Sequence, residues 1–140
     1  MVDDIDIDIK ILRLLKYNSK IVVRHLARKI HLSAPATAER IKRLKEQGVI
    51  KRYTITVNPE KLGYTRPFFI RINTAYLQER QYLHFINNNQ KYILHHYRTT
   101  GNFNYMLEGS FRNTYEFNLF LDKLEVFAKY EVIDILDEKF

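Results

Sequence analysis

Apolar residues recur at helical spacing in three successive windows before residue 50, and in short strand-like runs after residue 67. The first window covers Asp3 to Tyr17, where Ile7, Ile11, Leu12, Leu14 and Leu15 form an apolar stripe and Asp4, Asp6 and Asp8 crowd the first turn. Negative charge suits a helix N-terminus. The alternation Ile5-Asp6-Ile7-Asp8-Ile9 also fits a strand by period alone, but the apolar run continues to Leu15 without a turn residue, which favours a helix. A second helix is expected over Val22 to Ile30, with Val23, Leu26, Ala27 and Ile30 on one face and Arg24, Arg28 and Lys29 on the other.

His31-Leu32-Ser33 interrupts that pattern. Ser33 is a good N-cap, because its hydroxyl can accept from a free backbone N–H, and Pro35 suits a first turn. The third helix, Ala34 to Gln47, buries only a narrow stripe of Thr37, Ile41 and Leu44. Pro35, Ala36, Glu39, Lys42, Arg43 and Glu46 face away from it. Arg40 sits on the flank, where it can face a groove or pair with Glu39 or an adjacent helix. Gly48 ends the helix, and the β-branched run Val49 to Val57 reads as a strand that is basic at Lys51 and Arg52. Three helices, a tight turn and a basic strand outline a winged helix-turn-helix.

Asn58 to Gly63 is rich in turn formers and marks the expected boundary, dividing the chain into residues 1–60 and 61–140. The second part repeats a strand-helix-strand plan. Strands are expected at Phe68 to Tyr76, Tyr92 to Thr99, Tyr105 to Phe111 and Glu131 to Asp137, with helices at Gln78 to Asn88 and Thr114 to Ala128. Two such units in tandem predict a four-stranded antiparallel sheet with both helices on one face, hence an α+β chain. The other face is left open for a second copy of the chain. Phe69, Arg71, Tyr97 and Met106 lie on or near sheet faces, without alternation alone deciding which.

Charge sharpens this picture. The net charge is +7, and residues 20 to 52 hold 10 Lys and Arg against 2 Asp and Glu, whereas residues 61 to 140 are nearly balanced. A solvated basic face is the bland reading of such an excess. Its coincidence with the helix-turn-helix pattern points instead to a phosphate-binding surface. Cysteine is absent, so no disulfide, thiolate nucleophile or cysteine-based zinc site exists. The acidic start is unlike a signal peptide, and no apolar run approaches the roughly 18 residues of a membrane helix. A cytoplasmic protein is expected.

No catalytic constellation stands out among Ser19, Ser33 and Ser110, and four glycines form no phosphate-cradling loop. Neighbouring His95 and His96 would point to opposite strand faces, and His25, His31 and His84 have no partner at ligand spacing. No metal or cofactor is expected.

The succession Ile7-Asp8, Ile11-Leu12, Leu15, Leu26-Ala27, Leu32-Ser33, Arg40-Ile41-Lys42-Arg43-Leu44, Gly48-Val49-Ile50, Tyr53, Asn58-Pro59 and Leu62-Gly63 resembles the Lrp/AsnC, or feast/famine, transcription regulators. The turn Gly101-Asn102-Phe103-Asn104 is similar to that family's Gly-Asp-Tyr-Asp turn, so the likeness spans almost the whole chain. It implies a winged helix-turn-helix followed by a ferredoxin-like βαββαβ domain that senses an amino acid or related metabolite. It also implies homodimers, and tetramers or octamers of them, acting on double-stranded DNA. By the same resemblance Ser33, Ala36, Arg40 and Arg43 would meet the groove, with Lys42, Lys51 and Arg52 near phosphates. Gly101, Asn102 and Asn104 would meet the effector, although Gly-Asn between two strands is equally a plain hairpin turn.

Three features depart from the family pattern. Asn102 and Asn104 replace Asp, removing a carboxylate that would hold a ligand's ammonium. His31 stands where Gly is usual, and the chain ends at Phe140, directly after the expected last strand. Two other readings share the build: a tetrapyrrole (haem-type) decarboxylase, similar in its two-domain plan, and a ligand-sensing adaptor that binds protein. The basic first part argues against the decarboxylase.

Overall fold

The computed structural model describes residues 4–139; Asp3, the expected start of the first helix, and Phe140 lie outside them. The chain divides into two compact units, Met1–Thr56 and Val57–Phe140.

In the first unit α1 (Asp4–Tyr17), α2 (Val23–Ile30) and α3 (Ala34–Glu46) enclose a core of Ile11, Leu15, Leu26, Ile30, Ile41 and Leu44. The turn between α2 and α3 depends on two local devices. His31 adopts the left-handed conformation (φ 57°) and donates its backbone N–H to the Ala27 and Arg28 carbonyls, closing α2 where a glycine would do so without steric cost. Ser33 then caps α3, its Oγ accepting from Ala36 N at 3.2 Å, while Thr37 Oγ1 donates to the Ser33 carbonyl at 2.9 Å.

The run after α3 differs from expectation. Residues 51–58 form neither helix nor strand, so the β-branched segment makes no ladder among the described residues. Strand propensity reflects fit against neighbouring strands, and here no second strand pairs with it. The Lys45 ammonium lies 5.0 Å from the centre of the Tyr53 ring, tying the start of this segment to α3.

The second unit runs β1 (Arg66–Thr74), α4 (Glu79–Asn88), β2 (Ile93–Arg98), β3 (Tyr105–Phe111), α5 (Thr114–Leu124) and β4 (Ala128–Asp134). The antiparallel sheet has the order β2-β3-β1-β4, the ferredoxin-like arrangement. Phe68, Ile70 and Ile72 of β1 and Leu107 of β3 meet Tyr82 and Ile86 of α4 and Phe117, Phe120 and Leu124 of α5 in one core. Both helices therefore cover one face. Boundaries move at three elements: β1 begins and ends two residues earlier than expected, α5 ends at Leu124 instead of Ala128, and β4 runs three residues earlier at both ends. Phe127 and Ala128 continue an apolar run that suits either period, and pairing of Ala128 with Thr74 claims that residue for the sheet.

Gly109 fits a tight place in β3. A Cβ there would lie 2.0 Å from the Tyr92 carbonyl oxygen and 2.8 Å from Phe68 Cζ, so only hydrogen can stand beneath the Phe68 ring.

Candidate nucleic-acid interface and hairpin pocket

Packing of α3 by Thr37, Ile41 and Leu44 leaves Pro35, Ala36, Glu39, Lys42 and Arg43 exposed, as the narrow stripe requires. Ala36 and the capped turn at Ser33 present small groups at the N-terminal end of this face. Lys42 spans 3.9 Å to Glu46 one turn on, with both side chains well solvated. Lys51 and Arg52 are exposed on the extended segment that follows.

Arg40 is placed otherwise. Its side chain is 17% exposed; Nη2 donates to Asp4 Oδ1 at 2.6 Å, and Nη1 donates to Asp8 Oδ1 at 3.0 Å. The Arg40 guanidinium, through its hydrogen bond and then its charge, holds the Asp4 carboxyl below the usual carboxylate range. Arg43 Nη2 donates to the other Asp8 oxygen at 3.2 Å, with its own side chain 45% exposed. From sequence Asp4 and Asp8 are noted for their fit to the helix dipole, and Asp8 for the family resemblance, but neither as a partner of α3. The available signal was their spacing: they share a helical line with Ile11 and Leu15, so Asp8, at 20% exposure, lies where an acid is best held by a cation.

In the second unit the β2–β3 hairpin is folded back onto the end of β1. Asn104 supplies both halves of an amide clamp: Oδ1 accepts from Thr74 N at 3.0 Å, and Nδ2 donates to the Thr74 carbonyl at 2.9 Å. Its backbone N–H donates to Ile72 O, and its carbonyl accepts from Thr99 N. Asn73 Nδ2 donates to the Asn102 carbonyl at 2.6 Å, and Thr99 Oγ1 donates to that of Phe103 at 2.7 Å. Gly101 turns the hairpin with φ 95°.

Beside this hairpin lies a cavity of ≈ 310 Å³ lined by Arg71, Thr99, Thr100, Asn102, Phe103, Tyr105 and Met106. Of the three expected effector residues, Asn102 lines it, whereas Gly101 and Asn104 serve the turn and the clamp. Arg71 was not assigned a ligand role from sequence. Its guanidinium carbon sits 4.8 Å from the Phe103 ring centre, one nitrogen donates to Glu131 across the strands, and its buried Nε has no partner. Registers Arg71↔Met106 and Tyr97↔Met106 put Arg71, Met106 and Tyr97 on the face opposite the helices, and Phe69 shares it by alternation. His95 and His96 point to opposite faces: His95 Nδ1 is 2.8 Å from Glu108 Oε2, and His96 Nε2 is 3.0 Å from the hydroxyl of buried Tyr82. Burial raises the Tyr82 pKa and lowers that of His96. Among the described residues no three His, Cys, Asp or Glu side chains gather as a metal site, and no helix is long and apolar enough to cross a membrane.

A winged helix-turn-helix DNA-binding family matches residues 6–51. Over 132 residues the chain is 37% identical to the HTH-type transcriptional regulator LrpA of Bacillus subtilis, covering 94% of this chain and 96% of that protein. The chain belongs to the Lrp/AsnC family of transcription regulators. The fold of this family member agrees with that of B. subtilis LrpC, with a TM-score of 0.88, 28% identity and coverage of 100% and 98% of the two chains. A Neisseria meningitidis transcriptional regulator solved in complex with L-methionine superposes with a TM-score of 0.84 at 22% identity, covering 99% of this chain and 92% of that one.

Proposed function

We propose that this Lrp/AsnC regulator binds double-stranded DNA at a roughly palindromic site, as a dimer or larger assembly, and carries out no catalytic step. The observation that carries the reading is the exposed outer face of α3: small at Ala36, cationic at solvated Lys42 and at half-exposed Arg43, and held to the core by a narrow buried stripe on the other side. Lys42, Arg43, Lys51 and Arg52 meet phosphates, while Ser33 and Ala36 let the backbone approach the groove floor. Arg40, tied to two carboxylates, orients α3 on α1 and does not itself read DNA. The open sheet face carrying Phe69, Tyr97 and Met106 is where a second copy docks, setting two recognition helices about one DNA turn apart.

The hairpin cavity is the effector site in this reading. Its lining holds one cation and no carboxylate, and the carbonyls of Asn102, Phe103 and Asn104 each already accept a hydrogen bond. A carboxylate-bearing metabolite therefore has a partner in Arg71. The L-methionine bound by the neisserial regulator belongs to the same broad class of small carboxylates.

The test is a mobility shift with the protein's own upstream DNA across a salt series, with unrelated duplex as control. Site-selective binding whose affinity falls steeply with salt is expected. Weak binding that ignores both sequence and salt would overturn the reading.

A further inference from the structure

Asp8 is only partly exposed, at 20% of its side chain, and its hydrogen-bond partners lie on α3 rather than on α1. Its two carboxylate oxygens are divided between two arginines of the recognition helix, Oδ1 to Arg40 and Oδ2 to Arg43. The two arginines are unequal. Arg40 has a second carboxylate in Asp4 and is largely buried, whereas Asp8 is the one carboxylate paired with half-exposed Arg43 among the described residues. Lys42, the neighbouring cation, points to Glu46 on its own helix and owes nothing to α1.

We propose that Asp8 is a specificity-determining residue: it masks Arg43 from the generic DNA backbone and releases it only at a site that engages the rest of α3. The inference rests on the DNA-binding reading. A phosphate approaching α3 from an arbitrary sequence must compete with Asp8 for Arg43 and meets the negative charge of Asp8 nearby. Both effects weaken sequence-independent contacts, which are mostly electrostatic. At a matched site, contacts along the exposed face of α3 fix the phosphate in register, and Arg43 exchanges one oxyanion for another. Asp8 thus lowers affinity for the many wrong sites more than for the right one, and the ratio between them is what a regulator needs.

Asp8→Asn keeps the shape and removes the charge. Binding to random duplex should tighten roughly two- to five-fold, the worth of an exposed ion pair. The plot of log affinity against log salt should steepen by about one unit, one further phosphate contact. Affinity for the protein's own site should change less, so the ratio narrows. Two controls separate masking from support of the fold. Asp4→Asn removes a hydrogen-bond partner of Arg40 and only a weaker charge interaction with Arg43, so it should gain much less, and Asp8→Asn in an Arg43→Ala background should lose the gain. Arg43→Gln alone needs no altered α1: it should leave the salt slope on random duplex nearly unchanged while weakening the matched site several-fold.

The proposal is overturned if Asp8→Asn binds random duplex no more tightly, if its gain survives loss of Arg43, if Asp4→Asn gains as much, or if Arg43→Gln flattens the slope on random duplex by a full unit. These outcomes leave site-selective binding by the wild type intact and remove only the role of Asp8. Absence of salt-sensitive binding by the wild type removes both.

Discussion

Asn104→Ala should destabilise the second unit and leave the first untouched. The β1–β3 ladder ends at Ile72↔Tyr105, so the next rung, at Thr74, is made by the Asn104 side chain. Alanine keeps the backbone bonds to Ile72 and Thr99 but strips the Thr74 N–H and C=O of their partners on that side. Thr74 is 3% exposed. Leaving a buried polar group unpaired costs about 1–3 kcal/mol, and the half-buried Asn104 position admits water to replace part of the loss. A total of about 3 kcal/mol follows for the pair. For a unit of 60–100 residues, 1 kcal/mol shifts the midpoint by about 4–8 °C, giving a drop of about 12–24 °C. Eight of the ten tyrosines lie in residues 57–140, so near-ultraviolet circular dichroism of tyrosine follows this unit. A drop below about 4 °C, or an equal drop in melting of the first unit, refutes the reasoning. Any change in effector response of this variant is then traced to displacement of the hairpin, because Asn104 is absent from the cavity lining and its amide is engaged by Thr74.

Three further outcomes are expected. Gly109→Ala forces a Cβ against the Tyr92 carbonyl and the Phe68 ring and should cost about 3 kcal/mol or more, read by thermal melting of the second unit. Arg40→Ala leaves Asp4 and Asp8 without their main partner, so it should lower the melting midpoint of the first unit measurably while changing the salt slope of DNA binding by much less than Lys42→Ala does. Because burial depresses the His96 pKa, the folded state takes up its proton later than the unfolded chain does. Stability of the second unit is therefore complete above about pH 6.5 and falls as pH drops through that value toward the folded pKa, and His96→Gln should flatten this part of a melting-versus-pH profile.

The helices of the first unit were legible from their apolar spacing, and two of the three carry punctuation as well: acids at the start of α1, Ser33 before α3 and Gly48 after it. The apolar run from Phe68 announced a strand, but with Phe69 also apolar the alternation did not say which face the helices cover; the register with β3 decides it. What escaped was decided by a partner distant in sequence. A helical wheel puts Arg40 on a flank but cannot say that Asp4 and Asp8 stand opposite it. Asn104 reads as a turn residue until the end of β1 is laid beside it, and Gly109 reads as an ordinary strand glycine until the Phe68 ring is placed over it. The run Val49–Val57 has strand propensity and no strand to pair with, and Phe127-Ala128 satisfies two periods until Thr74 chooses one.

The order β2-β3-β1-β4 also dictates a sequence of events in time. Of the four strands β1 is made first, and both of its neighbours, β3 and β4, are synthesised later. The three-helix unit, whose contacts are local and whose residues emerge first, can fold on the ribosome while the sheet is still open. Throughout that interval Phe68-Phe69-Ile70 travels as an apolar strand with two unpaired edges. Arg66 and Arg71, which end up paired with Asp134 and Glu131 of the final strand, flank it meanwhile as unneutralised charges that discourage association between nascent chains. The cations that end in exposed pairs with β4 therefore have a use before β4 exists.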